Sequence, residues 1–203
     1  GGYGGAATES TQYFYVNTDD QLGKTVAISK DGTTFISGAP NDSMSDKASN
    51  IGTVHIGKYT ASSWNKLTQI PSPDTSTTNQ YFGYAVAIDA TGTRVAISRV
   101  MSTNTSSRVY IYTYNGTEWT LEQTISPPDN YSGMRFGESL ALDNTGTTLA
   151  IGSPASGGTG SDSSTYVYTR SGVTWTQQAR VKPTTANSST SNLGISVALS
   201  GDG

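Results

Sequence analysis

The side chains able to do chemistry are few and scattered. His55 is the only histidine, and cysteine is absent. A nucleophile–histidine–acid relay and a zinc site each need several such groups converging, so neither is expected. In the repeats described below, Tyr110 and Tyr166 hold the place of His55, which marks it as an ordinary, half-exposed strand residue. Paired carboxylates could support glycoside hydrolysis, which needs two acids flanking one bond. The candidates are Glu118, Glu122, Asp129 and Glu138. Glu118 and Glu122 lie four apart on an expected strand, hence on one face. Glu138 stands where the other copies have Lys24, Tyr84 and Ile195, a position that is not kept. All four are read as solvated surface acids. No catalytic residue is assigned, and the chain is not expected to be an enzyme. Tyr110, Tyr112 and Tyr114 alternate along one expected strand and share a face, as do Tyr166 and Tyr168. Such stripes stabilise a sheet through cross-strand pairs or, when exposed, meet a partner. The first stripe is the candidate contact surface.

The elements that would position these residues come in copies. Leu22-Gly23, Phe82-Gly83, Phe136-Gly137 and Leu193-Gly194 each open a similar segment, 60, 54 and 57 residues apart. A second glycine follows nine residues later: Gly32, Gly92, Gly146 and Gly203. Between them runs an apolar stretch built on Ala27, Ala87, Ala141 and Ala198. In the second copy, short β-rich runs fall at residues 84–89, 93–98, 108–114 and 118–125, with no helical period. Asn115-Gly116 between the last two predicts a two-residue hairpin turn with both residues at positive φ. Trp64, Trp119 and Trp175 open the fourth run, and Pro71, Pro127 and Pro183 follow it. Four short strands per repeat of this length read as a β-propeller blade. The alanine column suits the crowded innermost strand, and the tryptophans suit the broad outer edge. The expected fold is all-β, with blades at residues 22–81, 82–135 and 136–192, the start of another at 193–203, and a partial preceding blade or linker at 1–21.

Phe82-Gly83 and Phe136-Gly137, with leucine at Leu22 and Leu193, together with Gly38-Ala39-Pro40 and Gly152-Ser153-Pro154, resemble the FG-GAP repeat family of integrin α-subunit-like propellers. The second copy departs from the second motif with Ser98-Arg99-Val100. Gly52-Thr53-Val54-His55-Ile56 adds a third-strand pattern of the same kind. The resemblance spans residues 22–203 and implies a propeller in secreted or surface proteins. Many members of that family hold calcium in the turn after the first strand, which would place it at Asp31, Asp89 and Asp143. Calcium needs about six to eight oxygen ligands, and each turn here offers one carboxylate. These aspartates are read as turn-capping, and no cofactor is expected.

Twelve basic and fifteen acidic residues give a net charge of −3, with no basic stripe, so nucleic acid is not an expected partner. No apolar run approaches the ~20 residues that span a bilayer. Five Asn-x-Ser/Thr sequons, at Asn41, Asn104, Asn115, Asn130 and Asn187, fall in expected loops. With the Ser/Thr-rich, charge-poor composition they favour an extracellular or cell-surface glycoprotein. Propellers close with about four to eight blades, so three should leave apolar blade faces open. Either the chain is longer or other copies cover those faces. The leading expectation is a non-enzymatic structural or adhesion protein whose blades form an interaction scaffold, including a filament built from copies of itself. The alternative is a closed propeller binding a glycan or protein at its central face. A propeller polysaccharide hydrolase or lyase comes last.

Overall fold

The computed structural model describes residues 19–43, 50–60, 63–74, 78–101, 106–128, 134–155, 163–184 and 192–203. Among them the chain forms three four-stranded antiparallel sheets and no helix. The first blade holds β1 (Thr25–Ile28), β2 (Thr34–Ala39), β3 (Thr53–Thr60) and β4 (Ser63–Pro71). The second holds β5 (Phe82–Ile88), β6 (Arg94–Arg99), β7 (Arg108–Tyr114) and β8 (Trp119–Ile125). The third holds β9 (Ser139–Leu142), β10 (Thr148–Ser153), β11 (Ser164–Ser171) and β12 (Thr174–Val181). Each sheet is a simple meander whose strands pair in chain order. The all-β blade reading is borne out.

The core lies between blades rather than within one, because successive side chains of a strand point to opposite faces. Ile36, Val54, Ile56 and Ile70 of the first blade pack against Phe82, Val86, Val95, Ile97, Tyr110 and Tyr112 of the second. The other face of the second blade gives Ala87, Ala96, Val109, Ile111 and Ile125. These meet Phe136, Leu149, Ile151, Tyr166, Tyr168 and Trp175 of the third blade. Ala27 and Ala87 of the innermost strands join these two seams.

The tyrosine stripe is not a contact surface. Tyr110 and Tyr112 are 5% and 7% exposed and belong to the seam between the first two blades. Their face of β7 is the one turned to the neighbouring blade. Burial pushes the Tyr112 phenol up to about 12. Tyr114 is half-buried and tilts against Trp119, 5.2 Å between ring centres. His55 is 1% exposed rather than half-exposed. Its Nε2 lies 3.3 Å from the Thr53 hydroxyl, which donates to Asp42 (2.6 Å). The hairpin at Asn115-Gly116 forms, but as a four-residue loop closed by Tyr114 opposite Trp119. Gly116 has positive φ and Asn115 does not. The Asn115 side chain instead accepts from the amides of Thr117 and Glu118, at 2.9 Å each. An Asx turn takes the place of the mirror-image turn.

A bulge recurs at one level of each outer hairpin, after Ile56, Ile111 and Val167. In the second blade the extra residue is Glu122, since Leu121 faces Tyr112 and Gln123 faces Ile111. A bulge re-aims a side chain. Glu122 points into the third blade, where both oxygens accept from the Arg170 guanidinium (2.8 and 2.7 Å). One of them also accepts from Trp175 Nε1 at 2.9 Å. Trp175 stands on the outermost strand of its blade and is buried there. Glu122 is therefore a buried tie between blades, not a solvated acid. Burial alone would push its carboxyl up; the bonds from Arg170 and Trp175 bring it below its ordinary value. Glu118 is exposed, and Asp129 lies outside the described residues.

Candidate functional site: a cleft built from three turns

Each innermost strand is preceded by a four-residue turn of one design. The amides of Lys24, Tyr84, Glu138 and Ile195 donate to the carbonyls of Gln21, Tyr81, Arg135 and Asn192, at 2.9 to 3.1 Å. The third residue is always glycine, with φ of 87–89° in all four copies. That is type II turn geometry, whose third position L side chains rarely adopt. The Phe-Gly motif therefore has a local cause. Its phenylalanine is the second turn residue and packs inward: Phe82 meets Tyr110 and Phe136 meets Tyr166, each edge-on with centres 5.5 Å apart.

The second motif glycine has a tertiary cause. Gly38 of the first blade lies against the carbonyl of Gly83 in the turn of the second, and Gly152 lies likewise against Gly194. A methyl group at either would overlap that oxygen. The two motif glycines of successive blades are thus each other's contact. The exception at Ser98-Arg99 also has a reason. The Ser98 hydroxyl accepts from the Ala85 amide (2.9 Å), where the register of β5 on β6 shifts. Arg99, buried, ties down the connection between blades through Asp74 Oδ2 (2.7 Å), Gln80 Oε1 (3.2 Å) and the Ser106 carbonyl (2.7 Å).

With the second and third turn positions spent on folding, the first and fourth are left to face outward. Three successive turns bring Gln21, Lys24, Tyr81, Tyr84 and Arg135 around one cleft of about 510 Å³, completed by Pro40, Asn41 and Val100. Tyr84 is at its centre. Its hydroxyl accepts from Arg135 Nη2 (2.6 Å) and donates to Glu138 Oε1 (3.1 Å). Arg135 Nε pairs with Glu138 Oε2 at 2.9 Å. Lys24 Nζ and the Arg135 guanidinium lie over the Tyr84 ring, 5.8 and 5.4 Å from its centre. Burial and then the Glu138 carboxylate push the Tyr84 phenol above its ordinary value, with Arg135 opposing. Gln21 and Tyr81 hold φ of 57° and 53°. That left-handed backbone is costly for residues without a short polar side chain.

Sequence reasoning missed this site, although the signal was visible: Lys24, Tyr84, Glu138 and Ile195 differ in every copy. Glu138 belongs to the cleft's network rather than to bare surface. Asn41 lines the cleft, and Asn115 is exposed on its hairpin. Asn104, Asn130 and Asn187 lie outside the described residues.

The turns after the innermost strands do not fit calcium. Asp89 Oδ1 accepts from the amides of Thr93 and Arg94 (2.8 and 3.1 Å), and its Oδ2 from the hydroxyls of Thr91 and Thr93 (2.9 and 3.1 Å). Asp143 repeats this with Thr145, Thr147 and Thr148. In the first copy Ser29 replaces the aspartate, and Asp31 accepts from its hydroxyl and from the Thr33 amide. Both oxygens of Asp89 and Asp143 are taken up by their own turns, and the described residues contain no cluster of three or more metal-ligating side chains.

The sheets and their seams define propeller-type blades. Residues 119–168, from β8 into β11, match the FG-GAP repeat family model. That stretch, about a quarter of the chain, is similar to an FG-GAP repeat. No curated protein matches the chain. Among solved structures, a putative 6-phosphogluconolactonase from Bacteroides fragilis is similar over 90% of this chain and 43% of its own, with 12% identity and a TM-score of 0.56. U3-55K is similar over 79% of this chain and 39% of its own (14% identity, TM-score 0.47). A prolyl endopeptidase is similar over 77% and 20% (12% identity, TM-score 0.46). The neighbours are propeller-like, and this chain spans between a fifth and under half of their lengths. FG-GAP repeats occur in extracellular proteins, and among the described residues no helix is long and apolar enough to cross a membrane.

Proposed function

We propose that this chain is part of a non-enzymatic extracellular recognition scaffold that binds its partner at the cleft of the three leading turns. One observation carries the reading. Positions whose chemistry repeats between blades are consumed in holding the blades together, while the positions that differ line an open cleft of ligand-sized volume. The acids that hydrolysis would need support the same reading. Glu122 is held by Arg170 and Trp175, and Glu138 by Arg135 and Tyr84. The sequons and the occurrence of the repeat in extracellular proteins support the location. The test is a binding screen of the full chain against oligosaccharides and extracellular proteins. Tyr81→Asn removes the ring while suiting the left-handed backbone, and Lys30→Ala on an exposed trailing turn is the control. Every ligand found should bind Tyr81→Asn more weakly and Lys30→Ala unchanged; ligands indifferent to Tyr81→Asn would sink the reading.

A second reading, assembly through blade faces, is favoured by the first blade. Val26 and Ile28 on β1 are 69% and 58% exposed, whereas Val86, at the place of Val26 on β5, is 7% exposed beneath a neighbouring blade. A blade-like surface of another copy would bury this pair. Sedimentation over a range of concentrations should show self-association that Val26→Asp abolishes. A monomer at all concentrations would discard this reading.

A further inference from the structure

Resting on the recognition reading above, we infer that the cleft takes an acidic saccharide, a chain carrying hexuronate units, with a sugar carboxylate received at the Lys24 ammonium. Charge is the first ground. The chain carries a net −3, yet the cleft is lined by Lys24 and Arg135 and by no carboxylate. Glu138 answers Arg135, and Lys24 has no ion-pair partner among the described residues. A carboxylate entering there meets the Lys24 ammonium, to which it forms a charge-assisted hydrogen bond. The remaining lining is the second ground. Gln21 and Asn41 add planar amides able to donate and accept at ring hydroxyls, and Tyr81 adds an aromatic side chain at the rim. The backbone is the third. The amides of Lys24, Tyr84 and Glu138 are closed within their turns, so the cleft offers side chains rather than a strand edge. That disfavours an acidic peptide, whose extended chain is read by main-chain pairing.

The experiment titrates the full chain with three probes of matched length, at low and high salt, by calorimetry. They are tri-galacturonate, its neutral galactose counterpart and tri-aspartate. Tri-galacturonate should bind, weaken in high salt, and lose about tenfold to hundredfold in affinity with Lys24→Ala, the scale of one charged hydrogen bond. Lys24→Arg should restore most of it. Lys24 is exposed, so the alanine variant folds. The neutral trimer should bind at least about tenfold more weakly. Three results overturn the inference: equal binding of the neutral trimer, indifference to Lys24→Ala, or tri-aspartate binding with the uronate silent. If the neutral sugar or the peptide binds and Tyr81→Asn abolishes it, the acidic-saccharide inference falls while the recognition reading stands. Silence of all three probes also sinks the inference. The recognition reading falls only if every ligand of its own screen ignores Tyr81→Asn.

Discussion

The two ends of the innermost strand are built on opposite logics. Both carry a glycine at positive φ, and both recur in every copy. At the trailing end the turn satisfies itself. Asp89 and Asp143 absorb the donors that their own turns present. Where the first copy lacks that aspartate, a Ser29–Asp31 pair does the same work, with Ser29 Oγ accepting from the Thr34 amide. At the leading end the turn satisfies only its middle. In the second and third copies its glycine meets the preceding blade, its phenylalanine meets the core, and its outer two residues are left over. One end is thus kept for stability, and the other, where the proposed recognition cleft lies, varies.

That contrast can be broken by mutation, and the largest effect belongs to the blade contact. Gly152→Val drives a side chain into the Gly194 carbonyl and into Ser139. It should cost about 3 kcal/mol or more, the upper range for overpacking, read as a drop in the urea midpoint. A variant as stable as the parent would remove the tertiary explanation of the second motif.

Asp143→Ala at the trailing end comes next. It strands the amides of Thr147 and Thr148 and should cost about 1–3 kcal/mol without touching ligand binding. Acid should act through the same group. Burial pushes the Asp143 carboxyl up, but its hydrogen bonds prevail and hold it below the ordinary 3.8. The unfolded chain therefore takes up protons first, so this stability is complete above pH about 4 and lost as pH falls further. His55 gives an earlier step. Burial lowers its imidazole from the ordinary 6.5, against the pull of Asp42 and Asp20. Its contribution is complete above pH about 6.5 and declines below it. Urea midpoints from pH 7 to 3 should fall in two stages, and His55→Gln should remove the first alone.

Tyr81→Asn sharpens the contrast at the leading end. Asparagine tolerates the left-handed backbone that tyrosine is forced into, so stability should rise by up to about 1 kcal/mol while binding is lost. A fall in stability would mean that Tyr81 is held for packing. The smallest effect is expected from Ser29→Asp combined with Asp31→Thr, which rewrites the first trailing turn as the second. It should shift stability by no more than about 0.5 kcal/mol. A large loss would show that the two turn chemistries are not interchangeable.

Much of this was legible in the residues. Strand content, the Phe-Gly turns and the alanine of the inner strand follow from local pattern, because turn chemistry and period-2 alternation act over a few residues. Facing was less legible. Tyr110 and Tyr112 alternate as an exposed stripe would, and only the neighbouring blade buries them. Glu122 looked like Glu118 until a bulge separated their directions. The cleft was the least legible. Lys24, Tyr84 and Arg135 lie tens of residues apart, and nothing local relates them.

The sequence by itself determined the strands, the turns and the repeat, since these depend on backbone preferences and short-range hydrogen bonds. The tertiary structure alone decided which side of each blade is core and which side chains meet at the cleft. Those outcomes depend on how one blade stacks on the next, through apolar seams and the close approach of the motif glycines Gly83, Gly137 and Gly194 to the preceding blade.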